Sequence, residues 1–241
     1  MTELLYHLDG TLREFEAQVT EVIGRGVVLD RTAFYIGGGG QPCDVGRLLS
    51  DDGEWQVIRV SREGGCVVHQ LGSGAPLPSI GASVRGVLDW ERRYALMRTH
   101  TAMHILCGVI WRDYGASVTG GQMEPLRGRM DFEFERMQQE LVSEIEAKIN
   151  VEVVAARPVH VRILPREEAF QIPDLIRTKI NLLPAHITQV RVVGIEGLDM
   201  QADGGTHVLN TAEVGALRIV DYKSKGRINK RLVVALEPSV G

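Results

Sequence analysis

Residues 90–115 read WERRYALMRTHTAMHILCGVIWRDYG, and this run separates two kinds of sequence. It contains no proline and only Gly108 before the terminal Gly115, and it follows Asp89, a residue type suited to capping a helix N-terminus. The pattern predicts one long, largely buried helix. Within it, His100 and His104 stand at i and i+4, on one helical face. Such a pair can reach a single ion, or pack as a hydrogen-bonded pair within a core.

Upstream, AQVTEVIGRGVVLD (17–30) and WQVIRVSREGGCVVHQL (55–71) alternate apolar and polar residues on either side of glycine turns. Both read as β-hairpins. ASVRGVLDW (82–90) follows the turn-rich LGSGAPLPSIG (71–81) as a further strand, so five or six short strands imply a small barrel or sandwich. Downstream, RMDFEF reads as a strand, and EFERMQQELVSEIEAKIN places Met137, Leu141, Ile145 and Ile149 along a second helix. PVHVRIL, TQVRVVGI, AEVGALRIVDY and RLVVALE read as strands, and PREEAFQIPDLI as a short helix cut off by Pro173. The second part is therefore α+β, with helices on a mostly antiparallel sheet.

The chain has 241 residues, 44% of them hydrophobic, which is enough for one large or two small cores. No apolar run approaches the ~18 residues of a spanning helix and no signal peptide opens the chain, so the expectation is a cytoplasmic protein without a membrane partner. Cys43, Cys66 and Cys107 are odd in number and widely spaced, as free thiols would be. A net charge of -4 excludes a general polyanion binder and confines any nucleic-acid contact to a local patch. KSKGRINKR (223–231), with Lys223, Lys225, Arg227, Lys230 and Arg231, is such a patch, or else a solvated basic hairpin. GGGGQP (37–42) lacks the Gly-Lys-Ser/Thr and helix start of a phosphate loop, so no nucleotide cofactor is expected.

The loop QADGGTHV (201–208) supplies a second pair of donors, Asp203 and His207. Gly204 and Gly205 would bend it until the two converge; alternatively, Asp203 is an Asx-turn residue. Joined to the helix pair, these residues make a three-imidazole, one-carboxylate set. That set suits zinc and tolerates harder divalent metals.

RTHTAMHIL, PREEAF, LIRTKINLLP, VRVVGIEGLDMQADGGTHVLNTAEVG and KSKGRINKR together resemble the free-standing editing domain of alanyl-tRNA synthetase, the AlaX family. FYIGGGGQPCDVG (34–46) resembles the glycine-rich signature of the barrel that precedes that domain. The resemblance implies an α+β fold with an N-terminal small β-barrel over 1–89 and a metal-binding editing domain over 90–241. It implies a trans-acting hydrolase that removes serine or glycine from mischarged tRNA(Ala), with one zinc ion held by His100, His104, Asp203 and His207. In the family a cysteine occupies the position of Asp203. The alternative is a non-catalytic tRNA-binding or metal-stabilised module with a degenerate site.

Serine is larger than alanine, so size cannot exclude alanine, and a buried polar partner for the serine hydroxyl is required. Thr119 is the expected partner, with Gln122 and Gln41 behind it. The glycines at 37–40, Gly38 and Gly39 among them, are expected to let backbone approach the site or the tRNA end. Arg98 joins the five basic residues of 223–231 as an expected tRNA contact.

Overall fold

The computed structural model describes residues 2–74, 76–134, 137–178, 183 and 187–238. The chain divides into two compact units, Met1–Tyr94 and Ala95–Gly241.

In the first unit, six strands, β1 (Glu14–Ile23), β2 (Gly26–Leu29), β3 (Gly46–Ser50), β4 (Gly53–Glu63), β5 (Cys66–Leu71) and β6 (Ser83–Leu88), close into a barrel in the order β1-β2-β5-β4-β3-β6. Every pairing is antiparallel. Alternation along β1 turns Phe15, Ala17 and Val19 inward, where they meet Phe34, Leu48, Trp55, Val57 and Val84. Closure pairs both edges, which an open sheet of this length would leave exposed to other chains. Strand β3 was not anticipated, because only Leu48 at its centre is buried and so short a segment shows no period.

The glycine run is a turn that only glycine tolerates: Gly37, Gly38, Gly39 and Gly40 all have positive φ, from 57° to 127°. Gly38 and Gln41 exchange backbone hydrogen bonds of 3.0 and 2.9 Å, and the Tyr35 hydroxyl donates to the Gly38 carbonyl. The segment is tied down by Asp44, whose carboxylate accepts from the Tyr35 N–H and from the fully buried Arg93 guanidinium.

His69 is sealed inside the barrel. Its Nδ1 faces the Val27 carbonyl at 3.3 Å and its Nε2 lies 2.8 Å from the Thr32 hydroxyl, which in turn accepts the Phe34 N–H. Burial lowers its pKa to about 4. Because the folded state favours the neutral ring, stability is full above the unfolded value near 6.5 and falls as the pH drops from there towards 4. The expected loss is on the order of 3 kcal/mol. Denaturant midpoints of the protein and of His69→Gln, measured between pH 7 and pH 4, should converge as the pH falls; parallel curves would refute the assignment.

The second unit is built on α1 (Trp90–Tyr114), capped by Asp89, whose carboxylate accepts the Arg92 N–H at 3.1 Å. Strands β7 (Val118–Glu124) and β8 (Arg127–Glu133) are followed by α2 (Gln139–Val154), β9 (Val159–Pro165) and the four-residue α3 (Arg166–Ala169). Then come β10 (Gln189–Ile195), β11 (Asp199–Ala202), β12 (Leu217–Ser224) and β13 (Asn229–Leu236). One sheet runs β12-β13-β8-β7 and another β9-β10-β11, both antiparallel, which makes the unit α+β as expected.

Two sequence expectations shift. Helix α2 begins at Gln139 and buries Val142, Ile145, Ile149 and Val153, whereas Met137 precedes it and Leu141 is half-buried. A stripe counted in strict fours drifts off a face whose true period is 3.6. In AEVGALRIVDY the first residues belong to a 3-10 turn, Thr211–Val214, fastened by a capping box between Asn210 and Glu213. The expected helix residues at 135–136 and half of LIRTKINLLP lie outside the described residues. Among the described residues, no helix is long and apolar enough to cross a membrane.

Candidate metal centre

Helix α1 carries His100, His104 and Gly108 at successive steps of four, so all three share one face. At Gly108 the turn before β11 comes so close that a Cβ there would lie 2.9 Å from Leu198 Cγ and 3.1 Å from Asp199 Cβ. The missing side chain lets that turn rest on the helix. One helical turn away, Asp199 Oδ2 lies 3.0 Å from His104 Nδ1 and accepts a second bond from Gln201 Nε2 at 2.7 Å.

Strand β11 ends at Ala202, and the loop after it delivers Asp203 and His207 to the helix histidines. The ligand atoms of His100, His104, Asp203 and His207 all lie within 4.8 Å of one another. Asp203 Oδ1 is 3.5 Å from His100 Nε2, and Asp203 Oδ2 is 3.0 Å from His207 Nε2. Two donors bound at about 2.0–2.1 Å to one tetrahedral ion stand about 3.3 Å apart, so these separations bracket the spacing of a shared ion. The donor set therefore fits a divalent metal by chemistry and by distance.

The surroundings aim the donors. With Nδ1 of His104 held by Asp199, its Nε2 is left for the centre, the carboxylate–histidine support common at metal sites. His207 Nδ1 lies 3.2 Å from the Thr101 hydroxyl, between the two helix histidines in sequence, and that hydroxyl also accepts the Val208 N–H. Asp203 is both a turn residue and a member of the cluster: its Oδ2 accepts the Gly205 N–H at 2.7 Å in an Asx-turn. The expectation that Gly204 and Gly205 bend the loop through glycine-only conformations is corrected, since neither has positive φ; the Asp203 carboxylate makes the bend.

Burial dominates the charge states. It lowers His207 to about 4 and His100 well below its ordinary value, despite the attraction of Asp203, so both rings are neutral donors at neutral pH. For His104, burial also acts downward, but the hydrogen bond and charge of Asp199 outweigh it and raise the pKa. Burial raises Asp203, yet the three histidines overcome it and hold the carboxylate well below its usual range. Cys107, one turn beyond His104, is pushed up by burial and lies outside the group of four donors.

Other expected site residues fall elsewhere. Thr119 is exposed on β7 and its hydroxyl donates to Asn229 Oδ1 at 2.9 Å, so it does not meet the expectation of a buried polar partner. Gln122 is exposed and accepts from Arg129. Gln41, Gly38 and Gly39 belong to the glycine turn of the barrel unit. Arg98 is buried, its guanidinium donating to the carbonyls of Val214 and Glu237, so it clamps backbone rather than facing a partner. Lys230 is likewise buried and donates to the carbonyls of Gly226 and Arg227, while Arg231 pairs with Asp131; Lys223, Lys225 and Arg227 are exposed. Sequence reasoning missed Asp199, Thr101 and Arg191, whose guanidinium donates to the Asp203 carbonyl at 3.0 Å. Asp199 stands four residues before Asp203, an even step along an extended strand, and that was the one available signal.

Residues 6–92 match the class II (A) tRNA synthetase family, and residues 190–233 match the second additional domain of threonyl and alanyl tRNA synthetases. An alanyl-tRNA editing protein AlaX-M from Methanosarcina acetivorans is 39% identical over 98% of this chain and 99% of its own length. The AlaX-M of Saccharolobus solfataricus is 38% identical over 99% of this chain and all of its own. The chain belongs to the AlaX-M family of alanyl-tRNA editing proteins. Ninety per cent of this chain also aligns, at 41% identity, with a quarter of the alanine–tRNA ligase of Pyrobaculum aerophilum.

Asp199→Asn should weaken divalent-metal affinity about 10- to 100-fold by removing the charge behind the His104 ring. Zn2+ titration against a chromophoric chelator measures this directly. Gly108→Ala should weaken it in the same direction by lifting Asp199 off the helix; unchanged affinity in both variants would dismiss the support given to His104.

Proposed function

We propose that this chain is a trans-acting editing hydrolase that cleaves the ester bond of tRNA(Ala) mischarged with serine, with glycyl-tRNA(Ala) as a second substrate. The observation that carries the proposal is the convergence of three buried imidazoles and the Asp203 carboxylate in a chain of the AlaX-M family. The 1–89 barrel and the 90–241 editing domain are proposed as the two domains of this enzyme.

In this reading His100, His104, Asp203 and His207 hold one zinc ion, which three imidazoles and a carboxylate suit. Bound there, it would supply Lewis-acid chemistry for acyl hydrolysis. The chain's own residues do the rest. Asp199 and Thr101 hold rings in orientation, and burial of all three histidines keeps bulk water from competing for their nitrogens. Asp203, the least buried of the four, is the donor nearest to an incoming ester. Its carboxylate is already shared with the Gly205 N–H, which fixes the loop before substrate arrives.

Purified protein should release serine from seryl-tRNA(Ala) and leave alanyl-tRNA(Ala) intact. Chelation should stop the release, zinc should restore it, and His100→Ala should abolish it above the uncatalysed rate. Turnover indifferent to chelator and to His100→Ala would remove the metal mechanism. Tight tRNA binding without hydrolysis in zinc-loaded protein would replace it with the non-catalytic module. Asp203→Cys, which installs the family's thiolate, should retain zinc or bind it more tightly, and loss of metal on that change would show the loop to be misassigned.

A further inference from the structure

The outward face of the four-stranded sheet carries a cleft of about 380 Å³ lined by Arg127, Arg129, Lys223, Lys225 and Arg231 against two carboxylates, Glu124 and Asp221. Strand register puts these side chains together, except Lys225, which follows the end of β12. Arg129 pairs with Gln122 on one side and Val233 on the other, and Val233 pairs with Asp221; the next row is Gly120, Asp131, Arg231 and Lys223. Arg127 stands one two-residue step before Arg129, about 6.6 Å along the strand. The alternate residues, Gly128, Phe132, Leu232 and Val234, point the other way and are buried. Where Gly128 faces Met103 of α1, a Cβ would lie 2.5 Å from the Met103 sulfur, so the inner face is packed hard on the helix.

The carboxylates near the cleft order the cations. Asp131 accepts two bonds from Arg231, at 2.6 and 2.7 Å, and Arg231, Arg129 and Lys225 together hold its carboxyl below its usual range. Arg129 also donates to Gln122 at 2.7 Å, and Lys223 pairs with Asp221 at 2.9 Å. Arg127 stands 3.9 Å from Glu124, so five cations face the three carboxylates of Glu124, Asp131 and Asp221, and the face keeps a net positive charge on a protein whose net charge is -4.

We propose that this face grips the phosphate backbone of the tRNA substrate, with Arg127 and Arg129 joining the basic 223–231 hairpin in a single contact surface. The proposal rests on the editing function above. An open cleft of regularly spaced Arg and Lys side chains suits a polyanionic strand better than an enclosed small molecule, and phosphate contacts of this kind fix position without reading bases. Only the tRNA end need reach the buried donors.

The test is fluorescence anisotropy with labelled, uncharged tRNA(Ala) across a salt series. Arg127→Gln/Arg129→Gln should weaken binding roughly tenfold or more and reduce the salt slope by about 2, one per cation removed. Arg127→Lys/Arg129→Lys should keep the slope, and Arg162→Gln, an exposed control on β9, should change nothing. Should the glutamine pair misfold by circular dichroism, Lys223→Gln/Lys225→Gln tests the same face. If wild type binds tRNA and deacylates it while charge removal leaves affinity and slope unaltered, the cleft proposal fails and the editing function stands. Wild type without tRNA binding overturns both. Charge removal that abolishes binding to phosphatidylserine vesicles but spares tRNA would assign the face to a lipid surface and also overturn the proposal.

Discussion

The close approach at Gly108 is the constraint on which the candidate metal centre depends. A helix can supply two imidazoles at i and i+4 on its own, but two donors make a weak and poorly oriented site. The other two arrive on a strand and loop whose preceding turn comes close to the helix at Gly108, where a side chain is missing. The same contact brings Asp199 to His104. Ligand geometry and ligand orientation therefore share one packing contact, which makes the helix–turn interface as consequential for function as the ligands themselves.

The electrostatics of the centre follow from burial and from two acids with separate tasks. Asp199 sits behind a ring, and Asp203 sits among the donors. Without Asp203, the three clustered imidazoles would lose the carboxylate among them that offsets a cation; without Asp199, His104 would lose the acceptor that holds its Nδ1. Asp203 also ties down its own loop, so one carboxylate makes the turn and joins the cluster. The Asx-turn and ligand readings of this residue, alternatives on sequence grounds, are compatible because a carboxylate has two oxygens and four lone-pair directions.

The four-stranded sheet divides its labour by face. One set of alternate residues packs on α1 through Gly128 and Met103, and the other presents Arg127, Arg129 and Arg231 outward. A single register thus decides both the core of the second unit and the charge of its surface, and a slip by one residue would exchange them. Buried Arg98 and Lys230 show the converse: a basic residue in a basic stretch can be wholly occupied with backbone carbonyls.

Local patterns in the chain were enough to settle its α+β class, the β character of the first ninety residues, the long capped helix and two separate pairs of candidate donors, His100 with His104 and Asp203 with His207. These depend on periodicity, capping and short-range spacing, all of which are written in contiguous residues. Whether the first strands close as barrel or sandwich, where α2 begins, and what faces Thr119, Arg98 and Lys230 were settled only in three dimensions. So was the partnership of His104 with Asp199, ninety-five residues apart. The physical reason is that orientation and burial belong to pairs of residues brought together by packing, and no local pattern records which distant carboxylate, carbonyl or missing Cβ a side chain will meet.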